Sequence, residues 1–299
     1  MKITREQALH GAKAFSDYFD RFESIADYMR DQKLNAVDEM SFGLPGMGPE
    51  MDLFDNFDMH PEDMNIEVVE MNQNMWDIYI KIISSHSNMT SIPGKSLRLG
   101  VLEKNTNKWL GFIRIGSPVI NMKPRNQLLN SIFTESPEKA KAFNNTTVMG
   151  FAIVPTQPFG FNALGGKLLA AICCSHATRR MLNNKYDTEF CLFETTSLYG
   201  NIKGASMYDG MRPYLRYKGD TESKFLLTLG EEIYPELKDW FTEKNGGEEL
   251  IHKGASSRKL KMQTKMVGII KSSLKEHDTK AFELFSNEIA KASDVTTNK

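Results

Sequence analysis

The stretch that most narrows the possible folds runs from Thr147 to Gly219. It opens with an apolar run of strand length, Val148-Met149-Gly150-Phe151-Ala152-Ile153-Val154. Pro155 ends that strand, because it has no backbone N–H to continue a ladder. A glycine-rich turn follows, Phe159-Gly160-Phe161-Asn162-Ala163-Leu164-Gly165-Gly166-Lys167. The next run, Leu168-Leu169-Ala170-Ala171-Ile172-Cys173-Cys174, is long enough for a buried helix. Phe190-Cys191-Leu192-Phe193-Glu194-Thr195 reads as a second strand, and the chain around Tyr214-Leu215-Arg216-Tyr217 as a third.

The glycine turn has two readings. The first N–H groups of a helix lack internal partners and carry the positive end of its dipole, so they can hold phosphate oxygens. Alternatively, Gly165 and Gly166 let the helix pack against the sheet. The turn is not a Walker A loop: Phe161 stands five before Gly166, and Leu168 follows Lys167. It also lacks the G-x-G-x-x-G spacing of dinucleotide-binding folds.

Strand, Val154-Pro155, spaced glycines and a long helix resemble the acyl-coenzyme A segment of GNAT-type N-acetyltransferases. Asn201, Ala205, Tyr208-Asp209-Gly210-Met211 resemble the helix that follows in that fold. A narrower resemblance is to the Druantia anti-phage protein A family and to phage Mom-type DNA-modification proteins. It rests on Ile153-Val154-Pro155, Asn162-Ala163-Leu164, Glu194-Thr195, Gly200, Tyr208 and Gly210, and covers roughly residues 96–230. The resemblance implies an α/β fold: an acetyltransferase-like mixed central sheet flanked by helices, with N- and C-terminal helical additions. It implies acyl-coenzyme A as cofactor, held by Val154, Gly160, Gly165, Gly166, Lys167 and Asn201. The expected function is modification or binding of nucleic acid, in a phage or phage-defence setting. The alternatives are a non-catalytic binding protein on the same fold, and an N-acetyltransferase for a protein or small amine.

As an enzyme, the chain would be an acyltransferase or a nucleobase-modifying transferase. Tyr208 is the candidate acid, since a phenol can give a proton to a leaving thiolate; the competing reading is a packed tyrosine. Glu194, at a strand end where open α/β sheets place ligands, is the candidate base, or else an ion-pair partner. His176, beside Arg179 and Arg180, reads as a surface or packed histidine rather than a catalyst. Lys123, Arg125, Arg179, Arg180, Lys203, Arg212, Arg216 and Lys218 are candidates for a face that binds DNA or RNA phosphates. No Cys/His cluster has zinc spacing, and Asp52, Asp55 and Asp58 do not match a calcium loop.

The 299 residues carry a net charge of −1, which gives no whole-chain attraction to nucleic acid or membrane. No apolar run reaches the roughly 18 residues of a membrane span, and the N-terminus has no apolar signal core. Three cysteines in a long chain suggest a reducing, cytoplasmic setting, and adjacent Cys173 and Cys174 read as small core residues. The expected partners are DNA or RNA and further copies of the chain in a homo-oligomer, with no membrane.

Three regions are expected. Residues 1–95 hold a helix over 5–33, capped by Thr4, and a Met/Gly/Pro-rich acidic segment. Between 34 and 80 stand eleven Asp or Glu and no Lys or Arg, a composition typical of a loop. A strand and then a helix are expected over 66–86. Residues 96–230 form the core, with a hairpin of strands 97–103 and 109–116 and a helix from Pro137 to Phe143. Residues 231–299 are helical after a strand at 225–229. Within them, Lys253 to Lys275 carries seven Lys or Arg and no acid. Leu260, Met266, Val267, Ile270 and Leu274 lie there on one helical face, with Met262 and Ile269 off it. The opposed charges of 34–80 and 253–275 raise the further expectation that the acidic stretch shields a basic surface.

Overall fold

The computed structural model describes residues 1–38, 49–84, 94–157, 159–162, 165–197, 208–221, 228–255 and 258–294. The chain divides into two compact units, residues 1–32 with 223–299, and residues 33–222.

The first unit is helical. Helix α1 (Arg5–Phe19) starts on a reciprocal cap, in which Gln7 N–H donates to Thr4 Oγ1 and Thr4 N–H to Gln7 Oε1. The expected single helix over 5–33 is broken. Ser24 restarts it as α2 (Ile25–Asp38), its hydroxyl accepting from the Asp27 N–H at 3.2 Å. The break lets Phe22 turn inward, where its ring meets Tyr18 and Tyr28 edge-on, each at 5.3 Å. Helices α11 (Arg258–His277) and α12 (Thr279–Asp294) pack on α1. A Cβ on Gly11 would stand 3.0 Å from Ile270, so this glycine sets how closely α1 and α11 approach. The buried stripe of α11 is Met262, Gln263, Met266, Ile269, Ile270, Ser273 and Leu274. Met262 and Ile269, expected off the apolar face, are part of it, while Leu260 and Val267 are only half-buried.

The second unit is a five-stranded mixed sheet flanked by helices, an α/β fold. The strands are β1 (Ile66–Glu70), β2 (Ser96–Glu103), β3 (Lys108–Gly116), β4 (Thr147–Pro155) and β5 (Leu192–Thr195), in that spatial order. All neighbours pair antiparallel except β4 and β5, which are parallel. That change of direction requires a crossover. The glycine turn and the apolar run supply it as α7 (Phe159–Asn162), α8 (Gly165–Cys173) and α9 (His176–Tyr186). The expected 97–103/109–116 hairpin forms. Glu103, fully buried at its turn, accepts from the N–H groups of Asn65, Asn105 and Thr106 and from the Thr106 hydroxyl.

Strand alternation divides the core. Leu97, Leu99, Val101, Leu110, Ile113 and Val148 face α8 and α9, meeting Phe159, Leu169, Cys173 and Leu182. Phe112 and Ala152 face the other way, onto Trp76, Tyr79 and Ile80 of α4 (Gln73–Ile83). Part of the acidic segment is ordered against this sheet: Phe54 is buried, Asp52 accepts from the Tyr79 hydroxyl at 2.7 Å, and Asp55 pairs with Lys108 at 2.7 Å.

The third strand expected near Tyr214–Tyr217 does not form. Tyr214 and Leu215 both donate their N–H to the Met211 carbonyl, at 2.9 and 3.2 Å, which closes a turn and takes the first two N–H groups of the expected strand out of any ladder. Of the strand expected at 225–229, residues 225–227 lie outside the described residues, and 228–229 are not in a strand.

Candidate functional site

The β4–β5 ladder runs only from Thr147↔Leu192 to Gly150↔Thr195. Beyond it, Ala152 to Pro155 pair with β3 alone among the described residues. The parallel pair therefore opens at the carboxyl ends of both strands, the place where open α/β sheets collect ligands. The register also slips between Arg114 and Ile115, leaving Phe151 as the extra residue of a bulge beside the opening.

Tyr208 stands at this opening. Its hydroxyl shares a hydrogen bond with Thr195, whose Oγ1 donates in turn to the Gly150 carbonyl at 3.0 Å. Burial pushes the phenol up to about 12, against the pull of the Thr195 hydrogen bond. Tyr208 thus keeps its proton at neutral pH and is equipped to give one rather than to take one.

Glu194 adjoins Thr195 in sequence, but the pleat turns its side chain to the other sheet face. There it meets Arg125 of α5 (Lys123–Leu128) at 3.1 Å, with the two side chains 9% and 6% exposed. The Arg125 guanidinium also donates to the carbonyls of Val119 and Ile120 and to Asn126, and lies over the rings of Phe133 and Phe143. Burial pushes the Glu194 carboxyl up to about 7, with Arg125 pulling it down. The proposed acid and base therefore lie on opposite faces of one strand. Arg125, expected on an outer phosphate-binding face, is instead a buried ion-pair partner.

The glycine turn is partly a packing device. A Cβ on Gly165 would stand 2.5 Å from the Phe159 ring and 3.0 Å from its carbonyl oxygen. On Gly160 it would stand 2.6 Å from the Gln157 side chain and 2.9 Å from Pro155. Gly166 is different, since its nearest neighbour would be Pro155 at 3.9 Å. Lys167 reaches over Gly210, where a Cβ would lie 3.6 Å from its Nζ. Val154 pairs with Phe112 and packs against the Trp76 cluster, leaving its other backbone edge at the opening. Asn201, with Gly200, Lys203 and Ala205, lies outside the described residues. Burial pushes the Cys173 thiol well up, which suits a core residue.

After Tyr208 the chain forms a strip anchored by buried Met211 and half-buried Leu215. Arg212, Tyr214, Arg216, Tyr217 and Lys218 project from it, the two tyrosines 68% and 64% exposed. One end lies beside Lys167; at the other, a Cβ on Gly219 would meet Pro124 of α5 at 3.5 Å. Of the other basic candidates, Arg180 is exposed on α9, and Arg179 is 3.8 Å from Glu189.

Sequence reasoning passed over Arg98 and Arg114. Their signal was a repeated polar interruption of apolar strands, Leu97-Arg98-Leu99-Gly100 and Ile113-Arg114-Ile115-Gly116. It was legible as soon as the two strands were paired.

A five-stranded mixed sheet with one parallel pair, flanked by helices, defines an α/β protein. The Druantia protein DruA family model matches residues 20–210, and the chain belongs to that family. No curated protein and no solved structure matches it. Among the described residues no helix is long and apolar enough to cross a membrane.

Proposed function

We propose that this chain is a phage-defence protein that acts on nucleic acid at the opening between β4 and β5. Membership of the Druantia protein DruA family supports the defence setting. The observation that carries the nucleic-acid reading is the Arg212–Lys218 strip next to Tyr208. Exposed aromatic rings interleaved with cations are what single-stranded nucleic acid needs: faces for base stacking and charge for the backbone. The GNAT-type and Mom-type resemblances support a transferase reading of the same site.

The chain fits acyl-coenzyme A in part. The open backbone at Gly166 and the Lys167 ammonium suit phosphate oxygens at the start of α8, whereas Gly160 and Gly165 are accounted for by packing. When bound, that group supplies an acyl thioester. Tyr208 then holds a proton at its hydroxyl for the leaving group, Thr195 fixes the phenol's position, and the strip holds the acceptor strand. The packing of Phe159 beneath Gly165 favours a second reading, a nucleic-acid binder that uses no coenzyme.

The test is fluorescence anisotropy of the full chain with a labelled single-stranded oligonucleotide. Saturable binding is expected, weakened about 10-fold by Tyr214→Ala or Tyr217→Ala, with a smaller salt slope in Arg216→Ala. Absence of binding at low salt overturns the nucleic-acid reading. Calorimetry with coenzyme A, against Lys167→Glu as control, separates the two readings, because no heat from the unmutated chain removes the coenzyme. Mass spectrometry of nucleosides from cells with and without the chain then identifies any modified base.

A further inference from the structure

Helix α11 of the first unit turns its apolar stripe inward onto α1 and α12, and what it leaves outside is basic. Lys261, Lys265, Gly268, Ser272 and Lys275 are all exposed and follow one another at helical spacing, so they form a single outer stripe, flanked by half-buried Lys271. At the start of α11, Arg258 and Lys259 pair with Glu249 and Glu231. Lys265, Lys271 and Lys275 have no such partner among the described residues. The helix carries one carboxylate of its own, Glu276 in the last turn, which lies 3.6 Å from Lys2. The stripe therefore keeps its positive charge in the folded unit.

Gly268 stands at the centre of the stripe. Glycine weakens a helix interior relative to alanine, so its presence there wants a reason. Gly11 has one, because Ile270 packs against it, but a Cβ on Gly268 would meet nothing within 4 Å. No packing inside the unit accounts for the missing side chain. With Ser272 beside it, Gly268 makes a low saddle between Lys265 and Lys275, which lie about 15 Å apart along the helix axis.

We propose that this face of α11 is a docking surface for the sugar–phosphate backbone of duplex nucleic acid. The lysines neutralise phosphates, and the saddle lets the backbone come close to the helix. A span of about 15 Å suffices to reach phosphates on both sides of a major groove about 12 Å wide. The stripe carries no aromatic side chain, so it offers no platform for the stacked bases of a single strand. It also has no apolar side chain to insert into a membrane, since the apolar stripe of α11 is buried. The surface belongs to the first unit and does not depend on the reading proposed for the β4–β5 opening in the second.

The experiment is fluorescence anisotropy of the full chain with a short labelled DNA duplex across a salt series. Saturable binding is expected at low salt. The triple variant Lys265→Gln, Lys271→Gln, Lys275→Gln should weaken it at least about 10-fold and lower the log–log salt slope by about 2–3, close to one counterion for each lysine removed. Its affinity for a single-stranded oligonucleotide should stay the same, whereas Tyr214→Ala should leave duplex binding unchanged, so the two surfaces can fail separately. Gly268→Glu, whose side chain enters open space, should also weaken duplex binding about 10-fold with Tm preserved, and serves alone should the triple variant not fold. No saturable duplex binding, an unchanged affinity and slope in the variants, or tighter binding to phosphatidylglycerol vesicles or polyglutamate than to duplex overturns the proposal.

Discussion

Tyr208 and Glu194 are divided by the pleat of a single strand, and their environments give them different work. The Tyr208 phenol stays protonated, tied to Thr195. If it is the acid, Tyr208→Phe keeps the ring in place and lowers the transfer rate about 10²-fold or more, with little change in Tm. An unchanged single-turnover rate would make Tyr208 a packing residue. Glu194 makes a pH prediction. Its folded carboxyl is raised to about 7, above the ordinary 4.5, so the folded state holds the proton more tightly than the unfolded one. The stability this contributes is full below about 4.5 and is lost as pH rises through about 7. Urea unfolding should therefore show the chain weaker at pH 8 than at pH 5 by about 2 kcal/mol from this group. Glu194→Gln, which still offers Arg125 an acceptor, should flatten that slope. An identical slope in the variant would move the effect elsewhere.

At the scale of elements, the start of α8 shows why a glycine pattern alone does not define a phosphate loop. Gly165 is fixed by the Phe159 ring, so Gly165→Ala should overpack the crossover and cost about 1–3 kcal/mol in urea unfolding, whatever the ligand. Gly166→Ala meets only Pro155, at 3.9 Å, and should be neutral or stabilising by up to about 1 kcal/mol, because Ala favours a helix over Gly. Equal costs at the two positions would show that the contact with Phe159 does not hold Gly165. The elements themselves were largely readable. The hairpin, the Pro155 stop, the strand–helix pair over 66–86 and the helix beginning at Pro137 follow from alternation, proline chemistry and helical spacing. The single helix over 5–33 was misread because Phe22 keeps helical spacing, while the Ser24 cap that ends the continuity is a local hydrogen bond. The strand near Tyr214 was misread because aromatic and apolar composition favours a strand until the N–H groups are committed to Met211.

For the whole molecule, the two ends of the chain build one unit, and that has a consequence for truncation. Ending the chain at His277 removes α12 and with it Phe285, a buried ring 6.4 Å from Phe15. This truncation should destabilise the first unit by about 3–5 kcal/mol or more, the range for losing one large buried aromatic. Trp240, 5.3 Å from His10, reports on that unit, and Trp76 and Trp109 on the other. Fluorescence of single-tryptophan variants should show an earlier transition at Trp240 than at Trp76, and coincident transitions would contradict a division into two units. The charged segments look different once folded. Asp55, Glu67 and Glu70 pair with Lys108, Lys104 and Lys185, and Arg258 and Lys259 with Glu249 and Glu231. Each of these pairs lies within its own unit. Deleting residues 38–64 to unmask a basic surface would also remove buried Phe54, so charge-neutral substitutions at Asp55 and Asp58 are the cleaner test of shielding. If the acidic stretch shields a basic surface, these substitutions tighten binding to a short duplex, most at low salt, and unchanged affinity rules shielding out.

By itself, the sequence determined the periodicities, the stops and the caps, and hence an α/β core preceded and followed by helices. These are properties of consecutive residues, set by backbone sterics and by the 2.0 and 3.6 spacings. Tertiary structure alone decided which side of β5 each side chain serves, that Arg125 is buried on Glu194 rather than free for phosphate, and that Arg98 stands across from Arg114. Those facts depend on strand register and on which helix covers which face, and both are fixed by contacts between residues far apart in the chain.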